Sequence, residues 1–96
     1  MTKADTILTK EEFLKEYGST DEFHYMLLDR MRSDCDYYLN VELPNNCPKE
    51  YNHLWAHHDP EAQITYMRYL WEIVPEKPEW LTMEQINEYA HKMGVD

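Results

Sequence analysis

Four helix-start signals divide this chain into segments and constrain its fold more than any other feature. Thr9–Glu12 and Thr82–Gln85 each place a capping threonine three residues before a glutamate or glutamine, and Ser19–Glu22 pairs serine with glutamate in the same way. Such capping boxes satisfy free N–H groups in the first helical turn. Asp59 before Pro60 is a fourth signal, because proline is tolerated at the first helical position. The spacing predicts four helices.

Apolar stripes with helical spacing mark the second and third helices, which are the two longer ones. The second is predicted to run from Ser19 to about Leu39, and the third is predicted to stop at Pro75. The stripes consist of Leu28, Met31, Cys35 and Tyr38 in the second helix, and of Ile64, Met67, Leu70, Trp71 and Val74 in the third.

The predicted fold class is all-α, a small four-helix domain in which two short helices flank two longer antiparallel ones. No segment alternates apolar and polar residues for more than a few positions, so no strand is predicted. Residues 1–96 are expected to form a single domain with one long irregular loop, residues 40–58, between the second and third helices. Leu54 and Trp55 are expected to fold back onto the helices. Gly18 and Gly94 are predicted to end helices in the left-handed conformation.

The charge balance narrows the class of partner. Nineteen acidic and nine basic residues give a net charge of −10. Negative charge repels phosphates and anionic membranes, so direct binding of nucleic acid or of a membrane is disfavoured. A protein partner with a basic surface is expected instead. The polar start of the chain and its two cysteines, Cys35 and Cys47, favour a cytoplasmic location in a bacterial cell, with reduced thiols.

Acidic side chains near both ends form the first candidate binding surface. Glu11 and Glu12 belong to the first helix, and Glu84 and Glu88 to the fourth. If these two helices pack side by side, their carboxylates merge into one negative face. Negative charge in a first turn is also favoured by the helix dipole, so a purely structural role is the alternative.

Tyrosines away from the apolar stripes form the second candidate surface. The chain has three Trp, eight Tyr and two Phe, which exceeds what four short helices must bury. Tyr and Trp are enriched at protein interfaces because they combine apolar area with a polar edge. Tyr37 and Tyr51 are the candidate anchors, and Tyr66 and Tyr69 also lie beside the stripes. The alternative is that these rings cover a small core.

Metal binding and catalysis receive little support. Cys47, His53 and His57 have the side chains that zinc prefers, and His53 and His57 would share a helix face if that part of the loop were helical. The chain has no closely spaced cysteine pair, however, and structural zinc sites usually contain one. Ser19 is interpreted as a cap, and no carboxylate is expected to be buried. We therefore expect no metal, no cofactor and no catalytic residue.

Three segments carry a family resemblance. They are Tyr25–Leu39 (YMLLDRMRSDCDYYL), Leu54–Ala56 (LWA) and Lys77–Ile86, which contains KPEWLT. In this order they resemble the large polyvalent-protein-associated domain of the eleventh type, over most of residues 20 to 92. Such domains occur in proteins of phages and conjugative elements, so the resemblance implies a mobile-element context and no particular activity. The sequence departs from relatives at Asn40–Pro44, which replaces a glycine-containing turn, and at His57, which replaces a glycine.

These observations favour a small acidic, non-enzymatic mobile-element protein that binds and inhibits a host nucleic-acid-handling protein. Its charge would imitate a phosphate backbone or occlude a basic channel, as an anti-CRISPR protein would do on a CRISPR effector or another DNA-binding host protein. Two alternatives stay open. One is a non-inhibitory adaptor or oligomerisation domain, and the other is a small zinc-binding regulator that uses the His-rich loop 53–58.

Overall fold

Four α-helices make up most of the structure, as the sequence predicts. The computed structural model describes residues 7–18 and 20–95. Within them α1 spans Lys10–Tyr17, α2 spans Asp21–Tyr37, α3 spans Pro60–Ile73 and α4 spans Met83–Lys92. A π-helical turn at Tyr38–Glu42 extends α2, and a 3₁₀ turn at Lys49–Tyr51 interrupts the connection to α3. These described residues contain no β-strand, so the all-α prediction is confirmed.

Side-chain caps start the helices. The hydroxyls of Thr9 and Thr82 each accept a backbone N–H from the N3 residue, whose own side chain returns to the N–H of the cap. Two of the three predicted capping boxes, those at Thr9 and Thr82, are thereby confirmed. Asp59 caps α3 and Pro60 is its first residue, also as predicted. At α2 the prediction needs correction, because the cap is Thr20, and Ser19 lies outside the described residues.

The two glycines end their helices in different ways. Gly94 has φ 79° and adopts the predicted left-handed conformation. Gly18 has φ −66° and is extended, so the prediction of a left-handed Gly18 is wrong. Its N–H lies 2.6 Å from the Leu14 carbonyl oxygen. An added Cβ would lie 2.0 Å from that oxygen, so the close approach of the two backbones selects glycine here.

Helix α3 is central, and the other three helices pack against it. The Tyr25 hydroxyl near the start of α2 donates to the Glu76 carbonyl beyond the end of α3 at 2.6 Å. Cys35 near the end of α2 contacts Met67 in the middle of α3. These contacts make α2 and α3 antiparallel, as predicted.

The apolar stripes form the core. The residues of the two stripes that are buried are Leu28, Met31 and Cys35 of α2, and Ile64, Met67, Leu70 and Val74 of α3 or its cap. Tyr38 and Trp71 are half-buried against this core. Among the described helices, none combines the length and the apolar character needed to cross a bilayer.

A tight turn before α3 contains two consecutive residues in the left-handed region. His57 has φ 55° and His58 has φ 62°. The left-handed conformation costs a residue with a Cβ about 1–2 kcal/mol, and glycine avoids that penalty. His57 and His58 therefore both hold a backbone conformation that is strained for a residue with a Cβ.

We predict that Trp71→Ala lowers the free energy of unfolding by about 2–4 kcal/mol. The Trp71 indole N–H donates to the Leu81 carbonyl at 3.1 Å and links α3 to the start of α4. Urea denaturation followed by circular dichroism measures the loss. Trp80→Ala is the matched control, because Trp80 is 41% exposed and its loss should stay below about 1 kcal/mol. Equal losses for the two variants would contradict the prediction.

We also predict that His57→Gly raises the free energy of unfolding by up to about 1 kcal/mol. The relief of the left-handed strain exceeds the extra entropy that glycine gives the unfolded chain. Thermal and urea denaturation of the variant test this. His91→Gly, on the exposed side of α4, is the control and should lower stability by about 1 kcal/mol. A fall in stability for His57→Gly would show that the His57 side chain stabilises the turn.

Candidate protein-interaction surface

The connection between α2 and α3 is held by a buried carboxylate. The π-turn closes with the Leu43 N–H donating to the Tyr38 carbonyl at 2.7 Å, which directs Glu42 inward. Glu42 is only 4% exposed. Its two oxygens accept the His53 backbone N–H at 3.1 and 3.0 Å, and His53 Nδ1 lies 2.7 Å from Oε2. Glu42 therefore joins the end of α2 to a residue eleven positions later.

Two further side chains hold the next residues of the connection. Asp34 Oδ2 accepts the backbone N–H of Trp55 at 3.1 Å. The Gln63 amide oxygen accepts the Ala56 N–H at 2.9 Å, and its nitrogen donates to the Met31 carbonyl at 3.1 Å. Leu54 is buried and Trp55 packs against the core, so the prediction that they fold back onto the helices is confirmed.

Burial raises the pKa of Asp34 above its ordinary value, and the neighbouring Arg30 only partly offsets this effect. The expectation that no carboxylate is buried is therefore wrong for Asp34 and Glu42. The sequence contains a signal for the burial of Asp34. This residue lies beside Cys35 and three positions after Met31, so it borders the apolar stripe. Gln63 gives the same signal four positions before Met67. Glu42 gives none, because its direction depends on the π-turn.

The histidines of the connection take separate roles. His53 binds Glu42, whereas His58 Nδ1 lies 2.8 Å from the Asn52 carbonyl oxygen. His57 is exposed in the left-handed turn, so His53 and His57 do not share a helix face. In the described part of the chain, no three His, Cys, Asp or Glu side chains lie close enough together to hold a metal ion.

Four exposed apolar side chains lie along the stretch from the end of α2 through the 3₁₀ turn of the connection. Tyr37 is 46% exposed and Tyr51 is 73% exposed, and Val41 and Leu43 are also exposed. The Tyr37 ring meets the His53 ring edge to face, with the centroids 5.2 Å apart. The bonds from His53 to Glu42, called the Glu42 clamp below, thereby hold the ring that Tyr37 contacts.

The other two candidate tyrosines belong to the interior. Tyr66 is buried, stacks on Phe13 with centroids 4.7 Å apart, and its hydroxyl accepts the Leu8 N–H. Tyr69 is half-buried, and its hydroxyl donates to the Leu8 carbonyl. The interpretation that aromatic rings cover the core therefore describes Tyr66 and Tyr69, and leaves Tyr37 and Tyr51 as surface candidates.

The four candidate glutamates are exposed. Helix α1 meets α3 through Tyr66, Tyr69 and Glu72, whereas α4 and the segment before it meet α3 through Arg68 and Trp71. Whether Glu11, Glu12, Glu84 and Glu88 merge into one negative face stays a prediction. Glu12 has the additional role of accepting the Thr9 N–H in the capping box.

A polar pocket of about 220 Å³ lies between α2 and α4 and includes Glu88. Within it, Asp36 Oδ1 accepts the Tyr89 hydroxyl at 2.8 Å, and Lys92 pairs with Glu88 at 3.0 Å. Burial and the bond to Asp36 raise the pKa of Tyr89, which therefore stays protonated at neutral pH. This contact gives Asp36 a role in holding α4 against α2.

We predict that Asp34→Asn changes stability in a pH-dependent way. Because the folded-state pKa of Asp34 is raised, its contribution to stability is complete below the unfolded pKa of about 3.9 and declines as pH rises through the folded value. The wild type should thus exceed Asp34→Asn in stability most at about pH 3.5 and least at about pH 7. Urea denaturation across this range measures the difference. Glu50→Gln, on the exposed 3₁₀ turn, is the control, and an equal pH dependence in both variants would contradict the prediction.

The comparisons with known proteins give one match. No curated protein and no solved structure matches the chain. The family model of large polyvalent protein-associated domain 11 matches residues 21–93, from the first residue of α2 to the end of α4. The match leaves α1 outside and includes the whole connection with its Glu42 clamp. Most of the chain is covered, which confirms the resemblance, and the protein belongs to the large polyvalent protein-associated domain 11 family.

Proposed function

We propose that this protein is a non-catalytic docking domain of a mobile-element protein and that it binds a partner protein with a basic surface. The observation that carries the proposal is the exposure of Tyr37 and Tyr51 beside a connection that buried polar side chains hold in place. Large apolar side chains exposed on a rigid segment are typical of binding surfaces.

The rigidity of this surface supports a binding role. Tyrosine has few rotatable bonds, so it loses little conformational entropy when a partner covers it. The Glu42 clamp fixes the backbone of His53, whose ring contacts Tyr37. A partner would therefore meet side chains that are already ordered.

The charge of the chain supports a basic partner. The net charge is −10, and Glu11 and Glu84 each lie in an exposed first turn. Charge distributed over several faces still attracts a basic protein over about one Debye length, so it speeds association without forming one contact face. In this proposal the glutamates steer the partner and the tyrosines anchor it.

A second candidate function is inhibition of a host nucleic-acid-handling protein, such as a CRISPR effector. The same net charge supports it, because a basic nucleic-acid channel attracts an acidic protein as it attracts phosphates. The zinc-regulator alternative has less support, because His53 and His58 are already bound to Glu42 and to the Asn52 carbonyl.

The cysteines support a role without nucleophilic catalysis. Burial raises the pKa of the Cys35 thiol to about 12, so the thiolate that attacks substrates is scarce at neutral pH. The Cys35 sulfur instead packs 3.6 Å from the Met67 sulfur in the core.

Affinity capture with kinetic follow-up tests the proposal. The protein is immobilised, a bacterial lysate is applied, and bound proteins are released with rising salt and identified by mass spectrometry. We expect basic proteins that leave as salt increases. With the principal captured protein, Tyr37→Ala and Tyr51→Ala together should raise the dissociation rate about tenfold or more.

A charge variant provides the second arm of this test. Glu11→Lys with Glu84→Lys should slow association several-fold at low salt and have little effect at high salt, because charge steers encounter. Glu12 is left intact because it caps α1. Retention of the same proteins by all variants, with unchanged rates, would overturn the proposal. Loss of nucleic-acid binding by the captured protein would favour inhibition over simple docking.

A further inference from the structure

The outer face of α2 carries a line of side chains that are exposed in the part of the chain that the structure describes. Met26, Arg30, Ser33 and Tyr37 follow one another at intervals of four, three and four residues. At about 100° per residue they lie within roughly 60° of one another around the helix axis, opposite the buried Leu28 side. Met26 is the most exposed apolar residue of this line, at 63%. The line from Met26 to Tyr37 is about 16 Å long, at about 1.5 Å per residue.

The π-turn prolongs this line by one more apolar residue. In an α-helix Val41 would stand about 40° from Tyr37, and the wider π-turn, with its i to i+5 bonds, brings the two closer to alignment. Val41 is exposed, as Tyr37 is. The apolar residues of the outer face thus occur at both ends of α2, with Arg30 and Ser33 between them.

Acidic residues flank this line at intervals of seven. Glu22, Asp29 and Asp36 lie on one side of it, between the line and α4. Glu22 and Asp29 are exposed, and Asp36 is half-buried beside Tyr89. The single cation among them is Arg32, which pairs with both Asp29 and Asp36, so the flank keeps a net negative charge.

Together these positions have the heptad pattern of a helix-pairing surface. Intervals of four and three are those of the seam between two paired helices, and positions seven apart beside a seam carry the charges that select the partner. Arg30 does not place a free charge in the seam, because its guanidinium lies 3.4 Å from the buried Asp34 carboxylate. Its apolar stem and the small Ser33 leave room for the side chains of a second helix.

We infer that the outer face of α2 is the docking site for a basic amphipathic helix of the partner protein. The inference rests on the proposed function, and it names the surface that binds and the kind of segment that is bound. Apolar side chains of the partner helix pack on Met26, Tyr37 and Val41, while its Lys or Arg residues pair with Glu22 and Asp29. A second copy of this chain does not fit, because it would bring another charge of −10 against an acidic flank.

Two synthetic helical peptides of three heptads provide the probe. Both have leucine at the seam positions, and the flanking positions are lysine in one and glutamate in the other. Binding to the intact protein is measured by fluorescence anisotropy. We expect the lysine peptide to bind at least tenfold more tightly, because its charges complement the acidic flank. In the wild type, the amide shifts caused by this peptide should concentrate in residues 22–41.

Variants with the same net charge as the wild type show where on the protein the peptide binds. Met26→Ser with Tyr37→Ser should weaken lysine-peptide binding about tenfold or more, whereas Trp80→Ser, at an exposed site outside this line, should change it less than threefold. A second pair of variants tests the acidic flank by removing charge. Glu22→Gln with Asp29→Asn should weaken binding more than Glu11→Gln with Glu16→Gln, which removes the same charge from α1. Circular dichroism confirms that each variant is folded.

The outcomes separate this inference from the proposed function. If the wild type does not prefer the lysine peptide, the inference about α2 is overturned, and the affinity capture alone decides the proposed function. The inference is also overturned if Met26→Ser with Tyr37→Ser has no effect, or if Trp80→Ser weakens binding as much. The proposed docking function then stands, with the connection as its surface.

Discussion

Gln63 is the polar group on which the arrangement of the chain around α3 depends. Its amide is fully buried, accepts the Ala56 N–H of the connection and donates to the Met31 carbonyl of α2. A buried backbone group without a hydrogen-bond partner is unfavourable by about 1–3 kcal/mol, and a non-helical segment brings several such groups into the interior. One side chain of the central helix thus satisfies two other elements and lets Leu54 reach the core. An apolar residue of similar size would fill the space and leave the Ala56 N–H unpaired.

The same requirement explains what the sequence predicts well and what it does not. Helix starts are predicted at Thr9, Asp59 and Thr82 because a cap and the N–H groups that it binds lie within three residues of each other. The apolar stripes are predicted because helical periodicity is local as well. At Thr20, two adjacent hydroxyl residues offer nearly equivalent caps, and a shift of one residue between them depends on the rest of the fold. The sequence also does not show why position 18 requires glycine, because the reason is the short distance between its backbone and the Leu14 oxygen.

Glu42 and the acidic helices show where sequence reasoning stops for the candidate site. A glutamate after a helix is expected in solvent, and only the extra residue of the π-turn directs Glu42 inward to a histidine eleven positions later. The place of α1 on α3 likewise follows from the packing of Phe13 on Tyr66, and no charge pattern encodes it. The exposure of Tyr37 and Tyr51 is predictable from their positions off the stripes, whereas the burial of Tyr66 is not. Position relative to a stripe separates core from surface only when all neighbours of the helix are known.

Charge and shape make different contributions in this protein, and the difference bears on how it would bind. A net charge of −10 acts over several ångströms in every direction, so it favours encounter with any basic surface and selects little among them. Selection requires contacts that depend on position, and Met26, Tyr37 and Val41 supply these on the longest helix. Their backbone is held by the helix and by the π-turn that the Glu42 clamp secures, so little order must be imposed on binding. Because the acidic flank of α2 lies beside this line, the residues that attract a basic helix are adjacent to those that would hold it.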